Sequence, residues 1–349
     1  MNKLSAALVA GCVALSAAAK AQPEAAPAYG DLLAAAEREG LVRVYSSTDL
    51  PQITDLLDGF HAAYPKVQLD YVKHGAAEQY GLALSETGPA SADLLLSSGM
   101  DLQIKLANDG YALPYLSPEA DHLLPWMRWR DLAYGVTAEP IVIVYNKTLV
   151  PPGDVPKTHA DFLLLITAKP ALYQGKVATF DLDRAATGLL FATQDVQVTE
   201  KTWDLFKALG QIGVKVYSTA SGMIDRVAAG DQLFAYNVIG SYALDRQKSQ
   251  PSLGVVLPED YTLVFSRIAL IPKAAPHPAA AKLFLNFMLS RRGQQLMAAH
   301  YLGSVRDDLP ALAGAALHPI RVGPELLTYL DRAKNGKFLR AWRKALTGS

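Results

Sequence analysis

Residues 41–60, LVRVYSSTDLPQITDLLDGF, decide how the rest of the chain is read. LVRVYS (41–46) is a short apolar strand. After it Ile53, Leu56, Leu57 and Phe60 recur at i, i+3, i+4 and i+7, the stripe of a helix lying against a sheet. Between the two stand Ser46, Ser47, Thr48 and Asp49. A strand that hands over to a helix is the repeating unit of a parallel α/β sheet. Hydroxyls at such a junction cap the helix, or they face something bound there.

The same alternation continues outward. YGDLLAAAERE (29–39) is an opening helix stopped by Gly40, VQLDYV (67–72) a second strand, 76–87 a helix, 93–96 a strand, and a further helix runs through Lys105. YGVTAEPIVIVYNK (134–147) breaks the rhythm, because its β-branched run Ile141 to Val144 has no helix directly before it. Alternation then resumes through LYQGKVATF (172–180), GVKVYS (213–218), SGMIDRVAAGD (221–231) and QLFAYNVI (232–239). Strand-rich sequence fills 253–272, and two helices around Gly293 fill 278–300. Two α/β blocks joined by extended segments imply two lobes, a cleft between them and hinge closure. The expected partition is a signal segment at 1–21, leader and first helix at 22–39, one lobe from 40–138 with 262–349, and a second lobe from 139–261.

The length of 349 residues exceeds what one core usually serves, which also favours two lobes. Lys and Arg total 33, as do Asp and Glu, and a zero net charge speaks against nucleic acid or a membrane surface as the partner. Lys3 followed by the apolar run Leu4 to Ala19 and by Ala19-Lys20-Ala21 reads as a secretory signal cleaved before Gln22, so the product is expected in the periplasm. Val9-Ala10-Gly11-Cys12 resembles a lipobox and gives the competing reading of a lipid anchor. That cysteine is the chain's only one, which leaves the mature protein without a disulfide or thiolate nucleophile.

In parallel sheets the ligand crevice lies at the carboxyl ends of strands. Four such turns are rich in small and hydroxyl residues: Ser46-Ser47-Thr48, Ser97-Ser98-Gly99, Arg184 to Gly188 with Thr187, and Ser218 to Gly222 with Ser221. One cap needs one hydroxyl, and the first and last turns each carry three. Helix N-termini accept anionic oxygen, and Arg184 and Arg267 would add planar donors. The four tryptophans do not form a sugar-stacking set. No nucleophile elbow or HExxH spacing marks a hydrolase, the enzymatic alternative.

AAKLFLNFMLSRRGQQLMAAHYLGSVRDDL in 278–309, with LVRVYSSTD, SADLLLSSG (91–99), GVTAEPIVIVYN (135–146) and SGMIDRVAAGDQLFAYN (221–237) in order before it, resembles the bacterial extracellular solute-binding proteins. The likeness is to the branch of ferric-ion binders and of binders of phosphorylated sugars and phosphonates. It implies a class II periplasmic binding fold with crossing hinge strands. It also implies capture of a small solute for an inner-membrane ABC permease, a monomer, and no cofactor. A membrane sensor histidine kinase is the alternative partner. Asn237 matches a position at which relatives hold an anion. Iron binders use two adjacent tyrosines, where this chain has Tyr236 and Tyr242 spaced apart, so ferric iron is the second reading. The expected ligand set is Ser46, Ser47, Thr48, Ser97, Ser98, Arg184, Thr187, Ser221, Asn237 and Arg267, gripping a small anion.

Overall fold

The computed structural model describes residues 29–85, 88, 91–312 and 316–348. The expected signal segment and the lipobox at Cys12 lie outside the described residues. In chain order the strands are β1 (Leu41–Ser46), β2 (Gln68–Lys73), β3 (Leu94–Ser97), β4 (Arg128–Trp129), β5 (Ala133–Gly135) and β6 (Glu139–Asn146). They continue as β7 (Val177–Phe180), β8 (Lys215–Tyr217), β9 (Phe234–Ile239), β10 (Leu253–Val256), β11 (Thr262–Phe265), β12 (Ile268–Leu270) and β13 (Leu317–Pro319).

The first sheet has the order β2-β1-β3-β12-β5-β4. β1 runs parallel to both neighbours, with Val44 between Tyr71 and Leu94, and β12 enters antiparallel, Ile268 opposite Ser97. Its core closes under the helix Leu50–Ala63, whose Ile53, Leu56 and Phe60 are buried as the periodicity of 53–60 requires. Phe60 meets Phe284 and Phe287 edge to face, at 4.9 and 5.6 Å.

The second sheet has the order β13-β11-β6-β9-β7-β8, and β10 pairs with β6. β6 is the run that broke the alternation. It pairs antiparallel with β9, β10 and β11, and its residues Glu139 to Val144 are all buried, which explains a continuous apolar run without a preceding helix.

The chain passes between the sheets at 136–138 and again at 266–267, and these two segments bond to each other. Val136 donates to the Arg267 carbonyl at 2.9 Å, and Arg267 N donates to Thr137 Oγ1 at 2.8 Å. They are the crossing hinge strands.

The partition at residue 262 needs correction. β12 and the helices Pro278–Leu289 and Arg291–Ala298 build the first lobe, but β11 and β13 hydrogen-bond into the second sheet. The C-terminal helix Arg332–Thr347 also joins that lobe, packing on Thr202–Gln211 with Phe338 against Trp203 at 5.2 Å. The chain therefore crosses a third time before β13.

Buried Asp101, in the first turn of the helix Met100–Asn108, shows how tightly that helix is held. Burial pushes its carboxyl up to about 6, against the opposing pull of backbone N–H donors. The raised value means that its favourable contribution is complete below about pH 4 and is lost as pH rises through 6. Asp101→Asn is expected to match the wild type near pH 4 and to exceed it by roughly 2–3 kcal/mol at pH 7, at ~1.4 kcal/mol per unit. Denaturant titrations at the two pH values check this.

Candidate functional site

A cavity of about 580 Å³ lies between the lobes, lined from both. Three helices of each lobe begin at its wall. Leu50–Ala63, Ala76–Ser85 and Met100–Asn108 come from the first, and Ala186–Val198, Ala220–Ala228 and Gly240–Ser249 from the second. The first-turn amides of a helix have no intrahelical partner and carry its positive end. The wall is therefore rich in N–H donors before any side chain is considered.

Of the ten expected residues, six line the cavity: Ser47, Ser98, Arg184, Thr187, Ser221 and Arg267. Ser47 Oγ accepts from Ser98 N at 2.8 Å and donates to Ser98 Oγ at 3.1 Å, tying the first two turns together. Ser98 Oγ then meets Thr187 Oγ1 of the opposite lobe at 3.3 Å. Asp49 bridges as well: its N–H donates to Tyr242 Oη at 3.3 Å, and its carboxylate accepts from Ser221 Oγ at 3.4 Å. Gln52 Nε2 donates to Asp245 across the same gap at 3.0 Å. The hydroxyl turns are thus what the two lobes use to touch.

The other four are drawn into the protein. Ser46 Oγ accepts from Thr48 N at 3.1 Å, and Ser97 Oγ from Gly99 N at 3.2 Å, each fixing its own turn. Thr48 is buried, its carbonyl held by Tyr71 Oη at 2.7 Å. Asn237 is the clearest correction. Its backbone takes φ of +61°, a left-handed conformation that asparagine tolerates, and its Nδ2 donates to buried Asp195 at 2.6 Å. Asp195 also accepts from Tyr236 at 2.9 Å and Tyr261 at 3.0 Å, so this polar knot belongs to the interior of the second lobe.

The capping question from 46–49 is answered by the same bonds. The N-cap of Leu50–Ala63 is Asp49, with no side-chain cap bond, so none of the three hydroxyls caps it. In the fourth turn Thr219 is the cap, accepting from Gly222 N at 3.1 Å, which leaves Ser218 and Ser221 to the cavity.

Arg267 is fully buried at the cavity floor, in the hinge. Its Nε and Nη2 donate to the two carboxylate oxygens of Glu139 at 3.0 and 3.2 Å. Glu139 is completed by Thr137 Oγ1 at 2.8 Å and by Ser241 Oγ. Burial alone would depress the guanidinium, and the carboxylate beside it reverses this, holding it above its ordinary value. Tyr242 lies over the guanidinium at 5.4 Å.

Lys73, Gly75 and Glu78 line the cavity and escaped the sequence reading. Lys73 pairs with Asp49, and His74 Nδ1 lies 3.0 Å from Glu78. Lys73 ends β2, and His74 and Gly75 follow it, at the carboxyl end of a parallel strand. The rule that flagged four other turns applies here too, but no run of hydroxyls draws attention to it.

Tyr236 and Tyr242, on which a tyrosinate iron site would depend, point apart. Tyr236 is spent on Asp195 inside the lobe, and only Tyr242 reaches the cavity. Burial raises both phenols, with Asp195 reinforcing it at Tyr236, so both are held protonated. His74, the cavity's imidazole among the described residues, faces a carboxylate rather than a hydroxyl, which is no arrangement for activating a nucleophile.

A family model of bacterial extracellular solute-binding proteins matches residues 90–321. Among solved structures, the substrate-binding protein of an ABC transporter from Agrobacterium tumefaciens is 37% identical, over 88% of this chain and 94% of that one, with a TM-score of 0.83. Iron-bound HitA from Pseudomonas aeruginosa is similar at 18% identity, with 87% and 99% of the chains covered and a TM-score of 0.70. AfuA from Actinobacillus pleuropneumoniae, bound to fructose-6-phosphate, is 18% identical over 89% and 99%, with a TM-score of 0.69. The last two share the fold. Comparison with curated protein sequences gives no match. No helix among the described residues is long and apolar enough to cross a membrane.

Proposed function

The chain belongs to the bacterial extracellular solute-binding proteins and is the substrate-binding component of an ABC transporter, and we propose that its cargo is a small anion taken up in the periplasm. The observation that carries this reading is the convergence of six helix N-termini on one cavity walled by serine and threonine hydroxyls. Such a wall suits the several oxygens of a phosphate, phosphonate or carboxylate. A cavity of about 580 Å³ leaves room for a sugar-sized body behind that group.

The fixed charges refine this. Lys73, Arg267 and Arg184 face the cavity, but Asp49 and Glu139 already neutralise the first two. The donors available to a ligand are therefore mainly amides and hydroxyls, which are directional, with Arg184 at the mouth. Closure follows because the anion contacts both lobes only when they meet. That differential contact is all that can drive the equilibrium.

Thermal shift against inorganic phosphate, alkyl phosphonates, sugar phosphates, dicarboxylates and ferric citrate tests the reading. An anion at a hundred times its Kd is expected to add about 2.7 kcal/mol to stability. A response to ferric citrate alone, with a visible charge-transfer band, would overturn it.

Arg184 provides a graded check. Its side chain is 79% exposed, and Asp181 stands 3.7 Å away. An exposed ion pair contributes at most about 1 kcal/mol, against 1.5–3 kcal/mol for an enclosed charged bond. Arg184→Ala should therefore weaken anion binding by roughly five-fold by calorimetry. A loss of a hundred-fold would show that Arg184 is enclosed when the anion is bound.

A further inference from the structure

We propose that the C-terminal helix Arg332–Thr347 is a docking surface for anionic phospholipid headgroups, placed so that the cleft mouth is presented to the membrane. The helix carries Arg332, Lys334, Lys337, Arg340, Arg343 and Lys344 and not one acid. All six are exposed, while Phe338, Trp342 and Ala345 face inward. At 3.6 residues per turn, Lys337, Arg340 and Lys344 share one outward face. These three enter no ion pair among the described residues. The chain's zero net charge conceals this segregation, so the exclusion drawn from it holds for the whole molecule and not for this face.

The placement is what connects the helix to delivery. Arg343 donates to Asp183 through Nε at 3.0 Å and through Nη2, and the next residue, Arg184, lines the cavity. The basic face thus begins beside the cleft mouth. The nearby acids are mostly paired: Asp183 with Arg343, Asp181 with Arg184 at 3.7 Å and Asp204 with Lys207 at 3.2 Å, while Glu325 and Asp331 stand before the helix.

Two features favour lipid over an acidic protein. The cations are spread along an exposed helix rather than gathered around one socket, which suits a sheet of phosphates that can be met in any register. Beside them a groove of about 660 Å³ has Trp203, Ala341 and Leu346 in its walls, with Lys207 and Lys344 lining it as well. Apolar walls joined to the Lys344 ammonium match an amphiphilic anion, Lys207 being paired with Asp204.

The purpose assigned to this surface rests on the transport reading, but its test does not, since no solute is present. The chain from Gln22 onward is sedimented with phosphatidylcholine vesicles and with vesicles in which about a third of the lipid is phosphatidylglycerol. Binding to the second only, weakened by salt, is expected. Lys337→Glu/Arg340→Glu/Lys344→Glu should lower the partition coefficient by more than about two orders of magnitude, since loss of three cations alone, at about five-fold each, accounts for that much. The Gln triple variant serves if the Glu variant folds poorly. Equal binding to both vesicles, no binding, or an unaffected triple variant overturns the proposal. A triple variant that loses only its grip on the detergent-solubilised permease, in a chain that ignores phosphatidylglycerol, would assign the face to a protein partner instead.

Discussion

Glu139→Ala is expected to destabilise the protein by about 3–5 kcal/mol, the range found when one member of a buried ion pair is removed. The carboxylate is inaccessible and gives both oxygens to Arg267. Without it a guanidinium of 1% exposure stays in the hinge with no counter-charge, and the hydroxyls of Thr137 and Ser241 lose their acceptor. Arg267→Met should be damaging for the mirror-image reason. The double variant Glu139→Leu/Arg267→Met should recover most of the loss, because apolar side chains of similar volume commonly replace a buried pair at little cost. Urea unfolding of Glu139→Leu, Arg267→Met and the double variant, a cycle with the same substitution at each site, gives the coupling directly. If each single variant costs under ~1 kcal/mol, water reaches the pair and the hinge is looser than its geometry indicates. Because the pair sits where the chain crosses between lobes, the double variant should fold yet close differently on solute.

What the sequence disclosed and what it hid divide along physical lines. The turn at 46–49 was legible because strand and helix periods differ and the switch between them is sharp. Six of the ten expected residues line the cavity, since the carboxyl-end rule for parallel strands is geometric and needs no side-chain detail. The same rule cannot say which hydroxyl of a run looks outward. Ser46 and Ser47 are neighbours, yet one locks its own turn and the other lines the cavity and holds the Ser98 turn. Asn237 was misplaced because its partner Asp195 lies 42 positions away, on a helix that periodicity alone does not bring against this strand. The lobe boundary slipped at residue 262 for a related reason: β11 is an antiparallel addition to β6, and antiparallel strands carry no helix to announce them. Opposition of charges is equally invisible in one dimension. Arg267 read as a donor free for a ligand and Lys73 drew no notice, and only the fold brings Glu139 and Asp49 onto them.

Ser98→Asp separates the anion reading from the iron reading by the sign of its effect. Ser98 Oγ lies 3.1 Å from Ser47 Oγ and 3.3 Å from Thr187 Oγ1, at the point where hydroxyls of both lobes meet. A carboxylate placed there would stand about 4 Å from a bound anion, and at an effective dielectric near 20 the repulsion is roughly 4 kcal/mol. That corresponds to about a thousand-fold loss of anion affinity by calorimetry, partly relieved at high salt. Ser98→Asn, nearly the same size but uncharged, should lose far less, which distinguishes repulsion from crowding. A ferric ion would respond in the opposite direction, because a hard cation gains from an added carboxylate oxygen. Equal losses in Asp and Asn variants would mean that the site is sensitive to shape alone. Tighter iron uptake by the Asp variant, with anion binding untouched, would mean that the helix ends facing this cavity serve something other than a negative charge.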